Sequence, residues 1–255
     1  MNSISVKLLT TIVFLIISVC IPGCISLEPL SDTVQSEIER SLDRGFDGII
    51  VYVDLNGDSA DYAAGWKNRE DKIPADPRSL FKIASISKLY IAAAAAKLIH
   101  IDSLSLDKTL ADYLPEIAGS IENAHAITLR MMLKHRSGIP DFIDHPDFPW
   151  SEPPYGIEEA LDIALDMPAD FHPDKKYQYS NTNYLLIGEI LDKTLGYSHH
   201  QYIKREILLP LELYDTYSLL SEVNMDEIMS GYFLGYDPDI KENDYWMTSP
   251  ADAPV

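Results

Sequence analysis

Beyond residue 24 the sequence has no cysteine, since Cys20 and Cys24 are the only two in 255 residues. The body of the chain therefore has no disulfide framework, no thiolate metal site and no cysteine nucleophile. Basic residues are also scarce. Twenty Lys and Arg stand against forty Asp and Glu, a formal net charge of −20 that repels nucleic acid and anionic lipid headgroups. The acidic excess reads as a solvated surface rather than a recognition site. There is no internal repeat, no zinc or calcium ligand spacing among the seven histidines and the acids, and no sign of a cofactor. His199 and His200 are adjacent, which assigns them to different helix faces and makes them poor metal partners. What is present in ordinary amount is apolar residue, 46%, beside 24% charged, enough for a buried core.

One long apolar run exists, Leu8 to Ile21, preceded by Lys7 and followed by Pro22-Gly23-Cys24. A positive start, an apolar stretch and a small residue before a cut site make residues 1–23 a secretory signal. The segment Ile21-Pro22-Gly23-Cys24 resembles a bacterial-type lipobox, with Cys24 as the lipid attachment site and proline as a departure from the usual pattern. A simple cleaved signal and an uncleaved anchor remain open alternatives. The expectation is an extracytoplasmic, membrane-anchored chain whose residues 24–255 form one domain.

Along the body, Leu30, Val34, Ile38 and Leu42 fall one helical turn apart and predict a helix over Leu30–Arg44, closed by Gly45. A β-branched run, Gly48–Leu55, then Asn56-Gly57, then Asp58–Lys67 predict a hairpin. A helix is expected over Ser85–Ile101, with five consecutive alanines, Ala92 to Ala96, suiting a buried central position. Further helices are expected over Thr128–His135, Ile157–Asp166, Thr182–Leu195 and His199–Leu208, with a long loop from Asp141 to Pro154. The tail from Ser221 shows no strand signal. Strands first and helices after define an α+β protein, and a hairpin alone is too small a sheet to be stable.

Three Ser-x-x-Lys spacings occur: Ser79/Lys82, Ser85/Lys88 and Ser105/Lys108. Only Ser85 opens a long apolar helix. There the positive end of the helix dipole favours developing oxyanion charge, and a lysine one turn on shares its face. Ser105/Lys108 sits in a polar turn, with Asp107 as the expected cap. Tyr179-Ser180-Asn181 is the one Tyr-x-Asn among fifteen tyrosines. Read alone, Ser180 or Asn181 is a helix cap. Beside a lysine ammonium, however, a tyrosine becomes a general base, and an asparagine offers a donor and an acceptor to a substrate amide.

These stretches resemble the serine β-lactamase-related family of class C β-lactamases, D-alanyl-D-alanine peptidases and esterases. Leu80–Lys88 resembles its nucleophile motif. Leu104–Pro115, Ile127–Pro140 with His135-Arg-Ser-Gly138, Tyr177–Tyr184 with Ile187-Gly-Glu-Ile190, and Leu209–Thr216 resemble four later segments in the same order. The resemblance implies a β-lactamase/transpeptidase-like fold and a small-molecule or peptide substrate. It implies that Ser85 is acylated, that Lys88 and Tyr179 share proton transfer, and that Asn181 orients the substrate. The Ser85 N–H would be half of an oxyanion hole, and His135 would be structural. Two departures stand out. Pro173 is followed by Asp174 instead of glycine. The third family motif, Lys-Thr-Gly or His-x-Gly, is absent: Lys108-Thr109 and Lys193-Thr194 are each followed by leucine. The expectation is a chain that stops before the family's last active-site strand, so that its antiparallel sheet is incomplete. Such a chain is either an active hydrolase, a silent scaffold, or active only with a complementing chain.

Overall fold

The computed structural model describes residues 30–146, 148, 157–233 and 246–248. The segment read as a signal, with Cys24, and part of the Asp141–Pro154 loop lie outside the described residues.

The chain opens with helix α1 (Leu30–Leu42), which Gly45 closes in a left-handed conformation at φ +96°. Strands β1 (Gly48–Leu55) and β2 (Asp58–Asn68) form the expected hairpin, paired from Gly48↔Gly65 to Leu55↔Asp58. Its two-residue turn needs positive φ at both positions, and Asn56 (+59°) and Gly57 (+94°) supply it. The two-residue β3 (Ile73–Pro74) adds to β2, and β1 forms the other edge of this three-stranded sheet. Gly65 is required to be glycine, because a Cβ there would lie 2.2 Å from the Asp47 carbonyl oxygen.

The helical part begins with a 3₁₀ turn, Ala84–Ile86, that runs into α2 (Ser87–His100). Two short helices follow. In α3 (Leu110–Tyr113), Thr109 caps the start and Asp112 returns a bond to the Thr109 N–H; in α4 (Leu129–Leu133), Thr128 caps the start. Asp107, expected as a cap, instead pairs with Arg130. Then come α5 (Ile157–Ala164), α6 (Asn181–Leu195), stopped by Gly196 at φ +75°, and α7 (His199–Ile203), which continues through a π-helical turn, Lys204–Leu208. This is the α+β arrangement read from the sequence.

The core differs from expectation in one respect. The alanine helix α2 buries only Ala94, Ala95 and Leu98, and Leu89 on its other side is 70% exposed. The most enclosed helix is α6, where Leu186, Ile187, Ile190 and Leu191 are fully buried. Alanine is small enough to let α6 and α7 approach α2, but it removes little apolar area from water. Each buried Leu or Ile side chain of α6 contributes about 1.5–3 kcal/mol. Adjacency also did not separate His199 from His200, whose rings lie 4.1 Å apart at the start of the short α7.

The tail holds strands that the sequence did not signal, β4 (Gly231–Phe233) and β5 (Trp246–Thr248), paired antiparallel. At three residues each, they are too short to show an alternating pattern. Just before them the chain is tied to the body. Leu80 N–H donates to Glu227 O (3.1 Å), Met229 N–H to Leu80 O (2.7 Å), and Ser230 N–H to Lys67 O (2.9 Å).

Candidate active site

Ser85 sits inside the 3₁₀ turn rather than at the first position of the α-helix, and its side chain is exposed. The residue before it, Ala84, has φ +45°, a left-handed conformation that costs an alanine about 1–2 kcal/mol. Strain of this kind, placed next to a reactive group, is characteristic of functional sites. Lys88 lies one turn on, and its Nζ donates to Ser85 Oγ at 3.3 Å.

The other half of the site comes from the start of α6. Tyr179 Oη is 2.7 Å from Ser85 Oγ. Asn181 Oδ1 accepts from Lys88 Nζ at 2.7 Å and from Tyr179 Oη at 3.3 Å. The ammonium also stands over the tyrosine ring, 5.1 Å from its centroid, a further favourable contact for the cation. The four residues singled out from the sequence are thus within one hydrogen-bonded cluster, brought together by two packed helices.

Ser180 occupies the N-cap position of α6 but makes no side-chain cap bond. Its hydroxyl donates to Pro140 O (3.1 Å), while the Asn181 N–H donates to Asp141 Oδ2 (3.0 Å). The cap is therefore supplied from a loop forty residues earlier in the chain. The Asn181 side chain, freed from capping, faces Lys88.

His135 holds the tyrosine in place from behind. At φ +53° it ends α4, its Nδ1 accepts the Ser180 N–H at 3.2 Å, and its ring stacks on Tyr179 at 4.5 Å. An Nδ1 that accepts must be unprotonated. Burial, then the Lys88 charge, push the imidazole pKa below its ordinary value and keep it so. Around it, Ser137 Oγ donates to Asn183 Oδ1 (2.6 Å) and Phe142 N–H donates to Thr182 Oγ1 (3.0 Å). Gly138, at φ +83°, passes so close to Phe171 that a Cβ would lie 2.0 Å from its carbonyl oxygen.

The sequence reading passed over Asp141. Its carboxylate is buried and bonded to Asn181, yet in the sequence it is only the first residue of a Pro- and Asp-rich loop. The signal was its place directly after the Ser-Gly-Ile-Pro segment. Among the described residues no group of His, Cys, Asp and Glu is placed to hold a metal. A cavity of about 270 Å³ between β1, Phe81-Lys82 and Met229–Gly231 is lined by none of the four site residues. The Ser85 cluster itself lies at the surface, with Ser85 exposed and Tyr179 39% exposed.

A serine before an alanine helix, a lysine one turn on, and a Tyr-x-Asn entering a buried helix go with the β-lactamase/transpeptidase-like fold. The sequence model of the Beta-lactamase family matches residues 32–251, and the chain belongs to that family. Penicillin-binding protein 4* of Bacillus subtilis (strain 168) is 25% identical over 203 residues, covering 78% of this chain and 44% of that protein. Penicillin-binding protein 4 of Amycolatopsis lactamdurans is 27% identical over 196 residues, covering 75% and 50%. The chain thus spans about half the length of these curated relatives. Among solved structures, the octameric penicillin-binding protein homologue from Pyrococcus abyssi superposes with a TM-score of 0.71 at 28% identity, over 86% of this chain and 50% of that one. D-amino acid amidase from Ochrobactrum anthropi SV3 shares the fold, with a TM-score of 0.73 at 24% identity over 88% and 63%.

Proposed function

We propose that this chain carries the acylation machinery of a serine hydrolase acting on an amide, ester or β-lactam carbonyl. The observation that carries the reading is the 2.7 Å contact between Ser85 Oγ and Tyr179 Oη, with Lys88 Nζ against both Ser85 Oγ and Asn181. Ser85 Oγ attacks the carbonyl carbon as its proton passes to the Tyr179–Lys88 pair. That pair returns the proton to the leaving nitrogen or oxygen as the tetrahedral adduct collapses. Water then attacks the acyl-enzyme along the same proton path and releases the acid. The Ser85 N–H supports the developing oxyanion, and Asn181 offers its amide to the substrate. The relatives named for penicillin binding and for D-amino acid amides support an amide or lactam carbonyl over an ester.

The test is labelling of the purified, folded chain with a fluorophosphonate and with a fluorescent penicillin, followed by peptide mapping. Label is expected on the Ser85 peptide and lost in Ser85→Ala. A folded chain that takes up neither probe ends this reading.

A second reading is favoured by one observation. Among the described residues β1 is an edge strand, and Phe81, which shares a cavity lining with Gly48 and Ile50 of β1, is exposed. On this reading the site acylates efficiently only when further polypeptide completes the sheet and supplies a second oxyanion donor. Lack of one such donor lowers turnover about 10²–10³-fold. Joining a strand that bears Lys-Thr-Gly or His-x-Gly then raises the labelling rate by that factor.

We also infer that the chain works outside the cytoplasm, tethered by lipid on Cys24. The sequence of residues 1–24 supports this. Cys24→Ala is expected to abolish incorporation of labelled fatty acid and to release the protein from the membrane fraction. Unchanged fractionation ends the lipoprotein reading.

A further inference from the structure

Asp141 is 5% exposed, and its carboxylate is committed on both oxygens. Oδ2 accepts the Asn181 backbone N–H at 3.0 Å and the Asn181 side-chain Nδ2 at 2.8 Å, while Oδ1 accepts the Ile143 N–H at 3.4 Å. An ionised carboxylate accepts only, so the NH₂ end of the Asn181 carboxamide must face it. The oxygen end must then face the other way, toward Lys88 Nζ at 2.7 Å and Tyr179 Oη at 3.3 Å. A flipped carboxamide would set oxygen against carboxylate and NH₂ against ammonium, unfavourable at both ends. The amide dipole thus lies in line between a buried anion and the lysine of the site.

We propose that Asp141 is a positioning residue: by fixing the direction of the Asn181 carboxamide, it fixes where the Lys88 ammonium and the Tyr179 hydroxyl stand relative to Ser85. The kinetic part of this inference rests on the acyl-enzyme reading above; the structural part does not. Asp141 also caps the turn Phe142–Asp144 and the start of α6, so a purely structural role predicts lost stability alone.

A double-mutant cycle on the full chain separates the two. Acylation by the fluorophosphonate probe is measured in the parent, Asp141→Asn, Asn181→Ala and the pair. Misplaced reacting groups cost about a hundredfold, so Asp141→Asn is expected to slow labelling by that order in the parent. In the Asn181→Ala background its effect should shrink to within about threefold. An equal slowing in both backgrounds overturns the proposal. Should Asp141→Asn not fold, Asp141→Glu, which keeps the charge and moves it by one methylene, takes its place in the cycle. A second readout needs no chemistry: hydrogen exchange at the Asn181 side-chain NH₂, followed by ¹⁵N-resolved NMR. Protection in the parent, lost in the Asp141 variant, supports the proposal, and unchanged protection overturns it. A parent that takes no label while its Asn181 amide still responds to Asp141 defeats the acyl-enzyme reading and leaves the positioning role standing.

Discussion

Asn183 is fully buried two residues beyond the Tyr-x-Asn segment, and its Oδ1 accepts from Ser137 Oγ. Removing one partner of a buried hydrogen bond leaves the other desolvated and unpaired, at a cost of about 1–3 kcal/mol. Asn183→Ala is therefore expected to lower unfolding free energy by that amount in urea titration, and to loosen the loop that carries His135. The imidazoles act on stability through pH. Burial, and then His199, depress the His200 pKa to about 4, and His135 is depressed in the same direction. In the unfolded chain both titrate near about 6.5. Between those values the unfolded state binds protons that the native state refuses, so stability falls as pH drops from about 6.5 to about 4 and levels off below. Asp141 and Glu189, whose pKa values burial raises, act with the opposite sign and offset part of the loss. For His200, half buried, the discounted effect is about 1–2 kcal/mol. Thermal melting across that range should show a slope that His200→Phe reduces; an unchanged slope would mean that other groups set it. At this scale Ser85, Lys88, Tyr179 and Asn181 were legible because each sits in a spaced motif. Asp141 was not, because its partner lies forty residues away and its one local mark is that it follows Ser137-Gly-Ile-Pro140.

Helix starts and hairpin turns were read from short-range chemistry and appear where that chemistry is local: Asn56-Gly57 at the turn, Thr128 before α4, Gly196 after α6. Three elements escaped because no short-range signal in the sequence marks them. The start of α6 is capped by Asp141, not by its own serine. Ser85 lies in a 3₁₀ turn after the strained Ala84, where helix propensity predicted regular helix. The strands β4 and β5 pair with each other across thirteen or more residues of sequence. The loop Ser137–Phe142 is the element that joins α4 to the mouth of α6, and Gly138 is its tightest point. Gly138→Ala would need a positive φ and would drive a Cβ into Phe171 O. It is expected to destabilise by well over about 1 kcal/mol and to slow Ser85 labelling. The same substitution at Gly119, where a Cβ meets nothing within 4 Å, is the matched control and should be near neutral.

Over the whole molecule, five collinear segments made the family legible before any coordinates, whereas the division of burial between α2 and α6 was not. Alanine content says that neighbours pack closely; it does not say on how many sides. The outward face of α2 and its approach carry Phe81, Ile86 and Leu89, all exposed. Large apolar side chains left in water favour association. The pair Phe81→Ser and Leu89→Gln is expected to raise the concentration at which this chain stays monomeric in analytical ultracentrifugation, with little change in melting temperature. A large drop in melting temperature would show instead that the face is packed.

All four side chains of the cluster, and the aspartate behind them, come from α2, α6 and the loops beside them, and none from the hairpin. The two halves of the molecule can therefore change independently. A hairpin exchanged wholesale for that of a distant relative, over Gly48–Asn68, should leave the Ser85–Tyr179 spacing where it stands.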